Sequence, residues 1–278
     1  MKTPEFKVYN YTRSGKRLTN GRYLNKINED CRKTDIYRRI FITADGMGGH
    51  LEAKTASQHA TLLVYDDMVN IQKIIRDRQF SDKEILEILS ESVQERNKYI
   101  HAWSKIQSAN NCGTTIDGII IDAGKIFGVH VGDGTVYKID TQKITIQTLT
   151  NTDKNIINGS EDLSDLEKDL VYSNILSNHL GLEKVAVQTY VHELSKNDTI
   201  IMATDGFTKK VHPEEILQAF DGGYCCYPFN EGMKNLKEYC RKPQKMAAIV
   251  DNLRLREYHV SKGIFCDDTT FIAIQARD

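Results

Sequence analysis

At 278 residues the chain can bury one large core or two small ones. Its 37 basic and 38 acidic residues leave a formal charge of −1, so nothing global draws it to nucleic acid or to a membrane surface. No apolar stretch approaches the ~20 residues of a bilayer span, and Met1-Lys2-Thr3-Pro4-Glu5-Phe6 lacks the apolar core of a signal peptide. The six cysteines show no Cys-x-x-Cys spacing, and the adjacent Cys225-Cys226 reads as a pair of reduced thiols in a loop. A soluble cytoplasmic protein is expected.

In chain order, the first 36 residues are polar and rich in turn formers, with Lys7 to Tyr11 as a short edge strand. Ile36 to Ala44 reads as the first buried strand, since β-branched and aromatic residues dominate it and the glycines after Asp45 end it. Ala53, Ala56, Ala60, Leu63 and Val64 recur near helical spacing, which predicts a helix over 52–76 with an alanine face lying close against something flat. A second helix should begin at Ser81, where Glu84 completes a capping box, and Trp103 in its apolar stripe should belong to the core.

The period then changes. Thr114 to Asp122, Ile126 to Gly132, Thr135 to Ile139 and Lys143 to Leu149 are strand-like, and their links are too short for helical crossovers. A meander of antiparallel neighbours is expected. Residues 151–172 are polar and acidic, with Ser160 to Leu170 as a short helix or lid. Val185 to Val191 and Thr199 to Thr204 resume strand character. Helices should return after Pro213 and over 230–258, with a loop at 222–230, before a last strand from Thr269 to Gln275. The fold class read from this order is α+β: antiparallel sheets packed together and flanked by helices.

The chemistry lies in acidic residues at strand ends: Asp45 after Phe41-Ile42-Thr43-Ala44, Asp133 after Val129-His130-Val131-Gly132, Asp205 after Ile200-Ile201-Met202-Ala203-Thr204, and Asp267 before the last strand. A carboxylate at a strand tip is held rigidly, as a metal site requires. Together with Asp30 these are oxygen ligands with no Cys/His cluster beside them, and oxygen-only sites select hard cations such as magnesium or manganese. Converging carboxylates repel unless cations neutralise them. The chain has no phosphate loop of the Gly-x-x-x-x-Gly-Lys type, no glycine-flanked serine nucleophile and no Cys-x5-Arg loop, so water is the nucleophile that fits. His130, inside the meander, reads as a satisfied core histidine, and His50 as structural.

Asp45-Gly46-Met47-Gly48-Gly49-His50, Gly113-Thr114-Thr115, Gly132-Asp133-Gly134, Thr204-Asp205-Gly206 and Asp267-Asp268-Thr269-Thr270 resemble, in order and spacing, the motifs of the metal-dependent protein phosphatase 2C family. Asn28-Glu29-Asp30 is similar to the family's opening acidic motif, and Ser173 to Gly181 to the segment before its later strands. The resemblance implies a sandwich of two antiparallel sheets with helices outside. It also implies one phosphatase-like domain over 1–278, with a flap at 151–172 and a helical insertion at 221–262. In the site it implies Asp45 bridging two manganese or magnesium ions, the Gly46 carbonyl completing one shell, and Asp205 and Asp267 on the other ion. Asp30 would act through bound water, and Asp133 would mark a third, weaker cation.

Five positions depart from the pattern. The arginine that grips phosphate in many members is Asn25 here, with Lys26 beside it as the candidate phosphate ligand, although a lysine cannot copy a bidentate guanidinium. Met47 stands where eukaryotic members carry a histidine, Gly134-Thr135 replace serine and arginine, and Asp268 replaces asparagine. Two functions follow. One is hydrolysis of phosphoserine and phosphothreonine in proteins, opposing a serine/threonine kinase. The other is a catalytically weak or dead member that serves as a regulatory binding module.

Overall fold

The computed structural model describes residues 5–19, 22–25, 27–47, 51–77, 80–106, 112–151, 176–209, 211, 213–214, 216–217 and 267–277. The flap at 151–172 (apart from Asn151), the insertion at 221–262, Lys26 and His50 lie outside these residues.

Two five-stranded sheets, antiparallel throughout, carry the described chain. The first has the order β1 (Glu5–Arg13), β14 (Thr269–Arg277), β13 (Asp198–Ala203), β10 (Thr135–Asp140) and β11 (Thr145–Thr148). The second has the order β12 (Gln188–Glu193), β9 (Lys125–Val131), β8 (Ile116–Asp122), β5 (Ile40–Ala44) and β4 (Cys31–Asp35). A hairpin of β2 (Lys16–Thr19) and β3 (Arg22–Asn25) and the short pair β6 (Gly46–Met47) and β7 (Gly113–Thr114) complete the strands. Every residue of β5 is buried because both of its faces are covered. Phe41 points into the layer between the sheets with Ile119, Val136, Ile200 and Ile272. Ile40, Ile42 and Ala44 point the other way, under the helices. This is the period-2 alternation of a strand with two dry sides.

Those helices are α1 (Leu51–Asp77) and α2 (Asp82–Ile106). The alanine face of α1 is as expected, with Ala53, Ala56 and Ala60 fully buried. The approach to the sheet is so close that a Cβ on Gly118 would meet Met68 Cε at 2.4 Å. The capping box of α2 is formed: Ser81 N–H donates to Glu84 Oε2 at 2.7 Å and Glu84 N–H to Ser81 Oγ at 3.3 Å. A fork of hydrogen bonds from Arg96 to Asp67, 2.5 and 2.6 Å, ties α2 to α1. Among the described residues no helix is long and apolar enough to cross a membrane.

Several expectations are corrected. The apolar run at 36–44 is not one strand. Asp35 accepts from Arg38 N–H at 2.8 Å and from its guanidinium at 3.0 Å, Arg39 takes a positive φ of 58°, and the chain turns between β4 and β5. The link through Asp133-Gly134 does not join paired neighbours: β9 belongs to the second sheet and β10 to the first, so this tight link crosses the sandwich. The link through Ala123 and Gly124, both at positive φ, is the tight hairpin expected. Trp103 is only half-buried, its ring edge-on to His59 at 5.2 Å. A short helix, α3 (Asp205–Thr208), opens where only a strand end was expected.

Candidate active site

The strand-end carboxylates meet at one edge of the sandwich, each held by a different device. Asp45 leaves β5 with its backbone clamped by the residues after Gly113. Its N–H donates to Thr115 Oγ1 at 2.9 Å, and its carbonyl accepts from Thr115 N–H at 2.9 Å and from the Thr114 hydroxyl at 2.8 Å. The next residue must be glycine, since a Cβ on Gly46 would lie 2.3 Å from the Ala53 carbonyl oxygen and 2.8 Å from that of Glu29. Both contacts are backbone and cannot move aside cheaply.

Asp30 is held from three sides. Its N–H donates to Asn28 Oδ1 at 3.0 Å, and its carbonyl accepts from the Lys54 ammonium of α1. Its Oδ2 accepts from the Thr204 hydroxyl at 3.0 Å, which itself accepts the Thr270 N–H at 3.0 Å. Asp205 opens α3 directly after β13, and its Oδ2 is ion-paired with Lys209 one turn on. Asp267 precedes β14 and accepts the Asp268 N–H at 3.0 Å. Asp133 sits half-buried in the link between the sheets.

These groups lie within electrostatic reach of one another. Burial pushes the Asp45 carboxyl well above the usual range, and the charges of Asp30, Asp205, Asp267 and Asp133 push it further. Burial raises Asp30 to about 8, with Asp268 and Asp205 adding to the shift while hydrogen bonds from Thr270 and Thr204 oppose it. Asp133 rises to about 7 through burial and Asp205, against the pull of Lys209. Burial works against a charged Lys209, but Asp205, then Asp133 and Asp267, hold its ammonium above the ordinary lysine range.

Among the described residues, Asp30 Oδ1 and Asp205 Oδ1 are buried and have no hydrogen-bond donor. An acceptor stranded among other carboxylates is costly unless a cation faces it, so the donor set fits hard divalent ions. Among the described residues, no three His, Cys, Asp or Glu side chains make a ready-made cage for one ion.

The pocket thus brings together Asp30, Asp45, Gly46, Asp133, Asp205 and Asp267, while Lys26 lies outside the described residues. Asp268 has a role that was not expected: it is buried, its Oδ1 accepts from Gly15 N–H at 2.5 Å and its Oδ2 from Glu29 N–H at 2.8 Å. It pins the loop that carries Asp30 to the foot of β14. Lys209 was also missed, although Asp205 and Lys209 form an acid–base pair four residues apart once α3 is recognised. His130 is the satisfied core residue expected, bonded to Asp117 at 2.7 Å and to the Asn151 carbonyl at 3.0 Å.

Comparison with known proteins agrees with this architecture. A serine/threonine phosphatase, stp, of Listeria monocytogenes is 30% identical over 207 residues, covering 71% of this chain and 79% of its own. The crystal structure of the Mycobacterium tuberculosis serine/threonine phosphatase PstP/Ppp superposes with a TM-score of 0.67 at 20% identity, covering 98% of this chain and 99% of its own. The catalytic domain of PstP in complex with 2 manganese ions superposes with a TM-score of 0.63 at 19% identity, covering 99% of this chain and 100% of its own. The sequence profile of the family described as protein phosphatase 2C matches residues 26–254, most of the length, and the chain belongs to that family.

Proposed function

We propose that this chain is a metal-dependent protein serine/threonine phosphatase, hydrolysing phosphoserine and phosphothreonine with water and opposing a serine/threonine kinase. The observation that carries the reading is the pair of buried, donorless oxygens on Asp30 and Asp205 within a pocket of carboxylates that raise one another. Asp45, with the Gly46 carbonyl beside it, would bridge two manganese or magnesium ions, Asp205 and Asp267 would complete the second, and Asp30 would act through ordered water. Such ions, when bound, lower the pKa of a coordinated water toward ~7 and take up charge on the phosphoryl oxygens.

The chain's own part is positioning. Thr114 and Thr115 fix the backbone of Asp45, Thr204 aims Asp30, and Asp268 anchors the loop that carries Asp30. Preorganised charge of this kind needs no rearrangement when the reaction occurs. A regulatory module without catalysis would have no use for so costly a cluster of like charges. The chain is taken as a single phosphatase-like domain.

The test is phosphate release from a phosphothreonine peptide by the purified full chain. Release that requires manganese or magnesium, stops with chelator and is largely lost in Asp205→Asn supports the reading. No metal-dependent release from the folded protein would sink it and leave the binding module.

A further inference from the structure

Lys209 has no part in the function just described, yet its backbone is held in place and its part-exposed side chain is paired. Its Nζ is ion-paired with Asp205 Oδ2. Its N–H donates to the Asp205 carbonyl at 2.8 Å, and its backbone, φ −67° and ψ −16°, continues the turn of α3. Residues four apart on such a turn share a face. The helix cannot slide to carry the ammonium away. Phe207 is fully buried with its ring 5.1 Å from that of Phe271, and Thr269 Oγ1 donates to the Gly206 carbonyl at 3.1 Å. A Cβ on Gly206 would lie only 1.7 Å from the Asp268 carbonyl oxygen.

The two oxygens of Asp205 are therefore divided. Oδ2 faces the ammonium, and Oδ1 is buried with no donor among the described residues, available to a divalent ion. Asp133 and Asp267 lie within electrostatic reach of the same ammonium, and Asp133 feels Asp205 more strongly than any other charge.

We propose that Lys209 is the resident third cation of the site, its ammonium taking the Asp205–Asp133 side of the pocket where the family resemblance places a third, weaker divalent ion. This rests on the two-ion reading above and limits the chain to two divalent ions. A divalent ion approaching Asp205 Oδ2 must evict a tethered ammonium or lie against like charge. Magnesium must also shed water to do so, which it does reluctantly. The lysine supplies its charge at any metal concentration.

The experiment counts bound manganese on the full chain, by titration calorimetry and by the paramagnetic resonance of free ion, into the millimolar range. The wild type should bind two ions and Lys209→Gln three, the third more weakly; Lys209→Arg, which keeps the charge, should bind two. Asp133→Asn should leave the wild-type count at two and return Lys209→Gln from three to two. A wild type that binds three, falling to two with Asp133→Asn, overturns the proposal even if Lys209→Gln does not fold. A folded Lys209→Gln that still binds two overturns the role of Lys209 alone. A wild type that binds none or one overturns the two-ion reading and this proposal with it.

Discussion

Asp268→Ala removes the acceptor from two backbone N–H groups at once. Gly15 and Glu29 donate to its two oxygens at 2.5 and 2.8 Å, and the side chain is 2% exposed, so water cannot readily replace it. Hydrogen bonds to a charged group contribute about 1.5–3 kcal/mol each, and a stranded buried donor costs about 1–3 kcal/mol. Removing the charge also relieves Asp30, whose carboxyl Asp268 helps to raise, and this offsets part of the loss. A net destabilisation of about 3–4 kcal/mol is expected. At about 2–4 °C per kcal/mol for a chain of this size class, the midpoint of thermal unfolding should fall by about 6–16 °C. Asp268→Asn keeps one acceptor and should lose roughly half as much. The assay is thermal unfolding in chelator, so that metal binding does not mask the effect. If Asp268→Ala unfolds within about 2 °C of the wild type, the clamp between Gly15, Glu29 and β14 contributes nothing and the explanation for how Asp30 is placed is wrong.

Other outcomes are expected from the same geometry. Gly46→Ala forces a Cβ against the carbonyls of Ala53 and Glu29 at 2.3 and 2.8 Å. Misplacing a reactive group by about 1 Å costs on the order of 100-fold in rate, so metal-dependent hydrolysis should fall by about that much, and unchanged kinetics would contradict the packing. Gly134→Ser restores the residue common in the family but brings a Cβ to 2.0 Å from Asp117 Oδ2. It should destabilise by about 1–3 kcal/mol, and in a double-mutant cycle Asp117→Ala should relieve it; strict additivity in urea unfolding would show that the two do not touch. In chelator, stability should also depend on pH. Asp30 and Asp133 are raised to about 8 and about 7 in the folded protein, against about 3.9 when unfolded. The folded state therefore holds more protons over this range, and their contribution is full below about pH 4 and lost as pH rises through 7 to 8. The urea midpoint should be lower at pH 8.5 than at pH 5 and recover with manganese. A higher midpoint at pH 8.5 would reverse the sign and refute it.

Much of this architecture is legible in the residues. Phe41-Ile42 read as a buried strand because they are one, and Ser81 with Glu84 announce α2 because a capping box needs only local hydrogen bonds. Asp45, Asp133 and Asp205 are conspicuous because each stands where an apolar run stops, and Asp267 because one starts shortly after it. What stayed hidden depends on which parts meet in space. Strand patterning says which residues face a core but not which sheet they join, so the crossing at Asp133-Gly134 reads as an ordinary hairpin. The acceptor role of Asp268 is settled by N–H groups 253 and 239 residues away. Lys209 escaped notice because Thr204-Asp205-Gly206 looks like a strand end, which hides the helical spacing that pairs the lysine with Asp205.

The convergence of Asp45, Asp205 and Asp267 on divalent ions is tested most directly by anomalous scattering from crystals of the full chain grown with manganese. Two peaks about 3.5–4 Å apart, with Asp45 touching both and Asp205 and Asp267 touching one, are expected. Peaks elsewhere on the surface, or none in that pocket, would contradict the proposed chemistry at its root.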